Sequence, residues 1–235
     1  FIYLFRKKIR IFIPFKFELI KHNIIQQMKL GFPIGIQEML SMTAFAIFYK
    51  IIGMIGTVQL ATSEIILNIA HASFMPAVGV GMASATLVGK FLGEENPDKA
   101  EQVIKEALKW SLLFMGSMGS IFILLPGLII PIFTNDLEIL SFGIPCLQII
   151  GVLQYFDAIG LTLFFILPAA GNARFPAIVN TIICWTLFLP LSYYLAIVLE
   201  IGVVGAWIGF AAWIIPFSVI MALKVRTGSW KLIKV

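Results

Sequence analysis

Asp157 and Gln154 lie three residues apart, about one helical turn, inside an apolar stretch from 139 to 167 that is long enough to cross a bilayer. An ionisable side chain at that depth costs about 3 kcal/mol or more, so it marks a path for an ion, a proton or a solute. A carboxylate can do this chemistry by itself. It takes up a proton or a small cation and releases either to a competing positive charge, and the amide beside it can share the ion or a hydrogen bond. Glu38, in a second apolar stretch from 30 to 56, joins Asp157 and Gln154 as a candidate for cation or proton coupling. Ser41, Asn68 and Asn180 are uncharged polar residues in the same kind of surroundings, candidates to line a solute cavity. Their other use is hydrogen bonding between helices.

The elements that must hold these residues are membrane helices. With 60% hydrophobic and 12% charged residues in 235 and a mean hydropathy of +1.00, the chain has too little polar surface to face water. Six stretches can each cross a hydrocarbon core about 30 Å thick: 30–56, 60–91, 108–133, 139–167, 175–199 and 202–223. Pro76, Pro145, Pro190 and Pro216 fall inside them, which membrane helices tolerate when neighbours satisfy the freed carbonyls. The apolar runs are continuous and do not alternate with period two, which excludes a β-barrel. The expected fold class is an all-α integral membrane bundle of six transmembrane helices.

Of the 17 Lys and Arg residues, all but Lys50 fall on one side of this arrangement: before the first span, between the second and third, between the fourth and fifth, and after the sixth. The bias toward basic cytoplasmic loops then places both ends of the chain in the cytoplasm of a cell-membrane protein. Asn96-Pro97-Asp98 supplies an N-cap, a proline for the first turn and an acid at the positive helix end. The amphipathic stretch 99–110 after it is expected to lie along the membrane surface before the third span enters the bilayer. Residues 1–5 read as the tail of a preceding apolar segment and 1–29 as that tail plus a cytoplasmic linker. Residues 30–223 form the bundle and 224–235 a basic cytoplasmic tail.

Other chemistries find no support. Cys146 and Cys184 both fall inside spans, where thiols act as small apolar groups. His22 and His71 lack the spacing and acidic neighbours of a zinc site, and His71 is expected to pair with a polar group across helices. There is no nucleophile elbow and no phosphate-cradling loop. No basic face interleaved with aromatics stands apart from the membrane flanks, so nucleic acid is not an expected partner. An enzyme is excluded on these grounds, and no cofactor is implied beyond a Na⁺ or H⁺ coupling ion.

Several ordered motifs carry a resemblance. The first span opens with Gly31-Phe32-Pro33-Ile34-Gly35 and closes with Gly53-Met54-Ile55-Gly56-Thr57. The second contains Phe74-Met75-Pro76, Gly79-Val80-Gly81-Met82-Ala83 and Thr86-Leu87-Val88-Gly89. Then follow Asp157-Ala158, Ala170-Gly171-Asn172-Ala173-Arg174, Leu189-Pro190-Leu191 and Gly202-Val203-Val204-Gly205-Ala206-Trp207. In this order and spacing they resemble the C-terminal six-helix lobe of the multidrug and toxic compound extrusion (MATE) family, over about residues 31–230.

The resemblance implies one half of a twelve-helix transporter with pseudo-twofold symmetry, whose N-terminal lobe is a partner that this sequence lacks. It implies antiport of amphipathic, often cationic, small molecules against Na⁺ or H⁺ by alternating access. Asp157, followed by Ala158, matches the aspartate of the coupling site in the NorM branch, but that branch's tyrosine is replaced by Leu153 and its glutamate by Ser41. Glu38 together with Lys50 is similar to the DinF-like branch, the nearer of the two. The alternatives are a lipid-linked oligosaccharide flippase of the same superfamily, for which Lys50 is the basic residue within a span, or a truncated membrane subunit that does not transport.

Overall fold

The computed structural model describes residues 21–232, so the expectations for residues 1–20 and for 233–235 lie outside the described residues. Contacts divide the chain into two units, Phe1–Ile36 and Gln37–Val235. In the first, helix α1 (Lys21–Ile55) is already under way, and Phe32 and Ile36 are exposed. The second contains the rest of α1 and everything that follows.

Among the described residues there are helices and turns and no strand. The six expected spans are present as helices long and apolar enough to cross a membrane: Gly35–Ile55, Thr57–Gly93, Pro97–Leu124, Leu137–Ala169, Arg174–Val198 and Val203–Arg226. We label them α1, α2 (Thr57–Gly93), α3 (Pro97–Leu124), α5 (Leu137–Ala169), the pair α6 (Arg174–Ile183) and α7 (Leu189–Tyr193), and α8 (Val203–Arg226). A single turn, α4 (Pro126–Ile129), sits between α3 and α5.

Three boundaries differ from expectation. Residues 21–29, expected as linker before a span that starts at 30, already belong to α1. Residues 99–110 do not form a separate surface helix. Asn96 Oδ1 accepts from the Lys99 amide at 3.2 Å to start α3, and nothing after it interrupts the backbone ladder until Leu124, so the amphipathic and apolar parts are one helix. That helix then stops nine residues short of the expected 133. Pro126 and Pro131 have no amide proton to continue an α-ladder, and the chain falls into α4 and a 3₁₀ turn, Ile130–Ile132.

Helix α5 lies at the centre and packs against α2, α3 and α8. Asp136 caps it, its carboxylate accepting from the amides of Glu138 (2.8 Å) and Ile139 (3.4 Å), an arrangement typically worth about 1 kcal/mol. Close approach to α3 depends on paired glycines. A Cβ on Gly119 would stand 2.5 Å from the Gly151 carbonyl oxygen, and one on Gly151 2.8 Å from that of Gly119. Small residues at helix crossings replace the hydrophobic driving force that lipid cannot supply.

The fifth span is irregular. Wide π turns, Cys184–Phe188 and Tyr194–Val198, flank α7 and its Pro190. Proline deprives the carbonyl four residues earlier of its donor, and wider turns are a usual way to absorb that. Ser192 faces α8 and donates to the Ala206 carbonyl at 3.1 Å. The turn into α8 uses Gly202 at φ 73°, a backbone state that glycine adopts without penalty.

Two large apolar clusters fill the interior. One holds Phe48, Phe188, Trp207 and Phe210 in mutual ring contact, with centroids 5.0–6.0 Å apart. The other includes Val88, Ile104, Leu163, Met221 and Trp230. Trp230 belongs to a 3₁₀ turn after α8, is 1% exposed, and donates to the Val225 carbonyl at 3.0 Å. Lys231 beside it pairs with Glu101 near the start of α3, and Glu101 also meets Lys105 at 2.7 Å.

Candidate functional site

Four helices each present one stripe of side chains to a common cavity of about 370 Å³. On α1 the stripe is Gln37, Glu38, Ser41 and Phe45; on α2 it is Leu67, Ala70, His71 and Phe74. On α5 it is Ile150, Leu153, Gln154, Asp157, Leu161 and Phe164, and on α8 it is Phe210, Trp213, Ile214 and Phe217. Spacings of three and four put each set on one helical face. Asn180 of α6 completes the wall.

The expected residues Asp157, Gln154, Glu38, Ser41 and Asn180 therefore share one cavity. Asn68 does not line it and is exposed. It sits one residue past Leu67, about 100° round α2 from the stripe that holds Leu67, Ala70, His71 and Phe74, so it points away from the wall. The expectation that Asn68 lines the cavity does not hold. Lys50 is also elsewhere, lining a shallow recess with Tyr49, Gly53, Met54, Leu60 and Glu64.

Polar contacts organise one side of the cavity. Gln37 Nε2 donates to Ser41 Oγ at 3.4 Å, Asn180 Nδ2 donates to the same oxygen at 3.2 Å, and Asn180 Oδ1 accepts from Trp213 Nε1 at 2.9 Å. Three helices, α1, α6 and α8, are thus tied through Asn180, which is 7% exposed. Across α5, Gln154 Nε2 donates to Ser73 Oγ, and Ser73 in turn donates to the Ala70 carbonyl at 2.7 Å.

Asp157 is half-buried, and among the described residues no hydrogen bond or ion pair reaches it. The salt bridges that are present lie at the ends of α2 and α3 and at the C-terminal turn. A carboxylate in this position is free to meet whatever enters the cavity. Glu38 is exposed. Around these acids the wall is aromatic, with Phe45, Phe74, Phe164, Phe210, Trp213 and Phe217, surfaces that attract cations through their π faces. No group of three or more His, Cys, Asp or Glu able to hold a metal ion occurs among the described residues.

Two wall residues escape a reading of the sequence alone. Among the described residues His71 has no hydrogen-bond partner across helices, contrary to expectation. Its ring instead meets Phe74 edge-on at 5.0 Å, and it faces the cavity. Trp213 looks like any core or lipid-facing aromatic in the sequence, and only its bond to Asn180 distinguishes it. A recurrence of aromatics at 210, 213 and 217 is the one available signal, and buried packing produces the same pattern.

Fold and cavity define a multi-pass, all-α membrane protein with a polar site between its spans. The MatE family profile matches residues 33–194, and the chain belongs to that family, whose members are transporters and not enzymes. It is 35% identical over 204 residues to a probable multidrug resistance protein NorM of Thermotoga maritima, covering 87% of this chain and 44% of that protein. A second protein of the same description, from Pasteurella multocida, is 27% identical over 203 residues, 85% of this chain and 44% of its own length. The chain thus spans less than half the length of these curated relatives. These relatives carry the NorM name.

The fold is shared with solved MATE structures. A eukaryotic MATE transporter, AtDTX14, matches with a TM-score of 0.81 at 18% identity, over 92% of this chain and 49% of that one. An outward-facing MATE structure matches at 0.80 and 17% identity, over 92% and 49%. An inward-facing one matches at 0.76 and 16%, over 93% and 51%.

Proposed function

We propose that this chain is the C-terminal six-helix lobe of a cation-coupled antiporter that exports amphipathic, often cationic, small molecules. The observation that carries this reading is Asp157, a carboxylate with no partner among the described residues, on the wall of an aromatic cavity between membrane spans. A proton or Na⁺ that neutralises Asp157 weakens its hold on an organic cation, and the cation's arrival expels the ion in turn. Competition for one carboxylate is enough for exchange, because each ligand biases the two states by its differential affinity. Glu38, in the same cavity, is a second acid that can join the exchange, and Gln154 stands one turn from Asp157 to share a ligand. Ser41 and Asn180 shape the wall.

A comparable match to outward-facing and inward-facing structures supports a lobe that moves largely as one body during alternating access. The second lobe is proposed as its partner, since the solved structures it resembles are about twice its length. The cytoplasmic placement of both ends rests on the bias of basic residues, including Lys90, Lys99, Lys105 and Lys109 between α2 and α3. Glu38 and Lys50 favour a DinF-like coupling chemistry. With Lys50 in a separate recess, no lysine or arginine among the described residues lines the cavity, which argues against the flippase reading.

The test is efflux by the purified protein in liposomes, with Na⁺ and H⁺ gradients imposed separately. Uphill movement of a fluorescent organic cation under one gradient supports the reading. Movement that ignores both gradients rejects it.

A further inference from the structure

We infer that the neighbouring ends of α6 and α8 hold the headgroup of an anionic phospholipid through Arg174, Lys224 and Arg226. The inference uses the membrane placement of these spans and is independent of ion coupling at Asp157.

Arg174 is the first residue of the fifth span and Arg226 the last of the sixth, which sets both at headgroup depth. The two ends are neighbours. Lys224 Nζ lies 5.0 Å from the centre of the Phe175 ring, and Phe175 and Val225 pack on the same apolar cluster. The Lys224 ammonium is thus held where α6 begins.

The charge at this place is uncompensated. Neither α6 nor α8 contains an acid, and among the described residues Arg174, Lys224 and Arg226 make no ion pair. The other bases at this end of the bundle differ. Lys90, Lys105 and Lys109 pair with Glu94, Glu101 and Glu106, Lys231 pairs with Glu101, and Lys99 follows Asp98. The bias of basic residues toward one side of a membrane depends on their number, so it does not explain why one group comes with its own acids and the other with none. Cations at headgroup depth without acids of their own draw an anion, each contributing about fivefold near an anionic lipid surface.

The side chains that continue from these cations suit acyl chains. Arg174, Ile178 and Ile182 recur every four residues along α6, and Val219, Leu223 and Arg226 recur at four and three along α8. All six are exposed. On each helix a cation therefore heads an outward apolar strip, the order in which a phospholipid places its phosphate and its tails. A soluble anion would use the cations and leave the strips uncovered.

In the experiment, delipidated native protein in detergent is offered equal amounts of phosphatidylglycerol and phosphatidylcholine with the same acyl chains, and bound lipid is read by native mass spectrometry. Phosphatidylglycerol should be retained about fivefold or more over phosphatidylcholine. Arg174→Gln, Lys224→Gln and Arg226→Gln combined should remove the preference. Lys90→Gln, Lys105→Gln and Lys109→Gln combined take the same number of charges from the same end and should leave it in place. Arg174→Lys with Arg226→Lys keeps the charges and should keep the preference. Should the first triple variant fail to fold, each of its single substitutions is read in its place and should lower the preference by up to about fivefold.

Equal retention of the two lipids by the wild-type protein overturns the inference. So does an equal loss of preference in the two triple variants, which makes it an effect of net charge alone. A thermal shift from inorganic phosphate as large as that from phosphatidylglycerol assigns the cations to a soluble anion and overturns it as well. Gradient coupling is read separately, and none of these results touches it.

Discussion

Trp213 Nε1 donates to Asn180 Oδ1 at 2.9 Å, and through that bond a tryptophan of α8 fixes the one polar side chain that α6 brings to the cavity. Asn180 spends its amide hydrogens toward Ser41 on α1, so three helices meet at one side chain that is 7% exposed.

Trp213→Phe keeps the ring and removes the N–H. The Asn180 oxygen then stays buried without a donor, a defect that costs about 1–3 kcal/mol. Thermal unfolding in detergent should fall accordingly. An unchanged midpoint would mean that Asn180 finds another donor or that the bond does not form in the membrane.

The glycines of α3 and α5 should respond very differently from others. Gly119→Ala would put a methyl 2.5 Å from the Gly151 carbonyl oxygen, forcing the helices apart at a cost of about 1–3 kcal/mol. Gly79→Ala on α2 meets nothing within 4 Å and should be neutral or gain up to about 1 kcal/mol from helix propensity. Measured side by side, equal stabilities for the two variants would contradict the close crossing.

Much of this architecture is legible in the sequence, because six long apolar runs leave few alternatives. Asp157 is legible for the same reason, since a charge at that depth has no bland surroundings to hide in. The ends of α3 are not legible in the sequence: 99–110 has an amphipathic face, but amphipathicity says nothing about whether a helix bends at its end. The stop at Leu124 follows from Pro126, whose ring disfavours helical backbone at Leu125, and the continuous apolar run hides it. Asn68 and Asn180 look equivalent in composition, and one helical step separates a wall residue from an exposed one. His71 and Trp213 could not be assigned because their partners come from cavity geometry that apolar periodicity does not encode.

The C-terminal turn should matter for stability. Trp230 is 1% exposed within the apolar cluster that joins the ends of α2, α3, α5 and α8. Trp230→Ala should cost about 3–5 kcal/mol, the range for a large aromatic removed from a core. Glu101→Gln, which loses the ion pairs with Lys105 and Lys231, should cost much less, because such pairs at an accessible helix end are weak. Denaturation of the two variants checks the order, and a larger loss in Glu101→Gln would reverse the account of that turn.

Asp157→Asn in the native protein, reconstituted in liposomes, is the most direct measurement. The account predicts that the variant still exchanges labelled for unlabelled organic cation at equilibrium but no longer concentrates it when a Na⁺ or H⁺ gradient is imposed. Gradient-driven accumulation at the wild-type level in Asp157→Asn would contradict it.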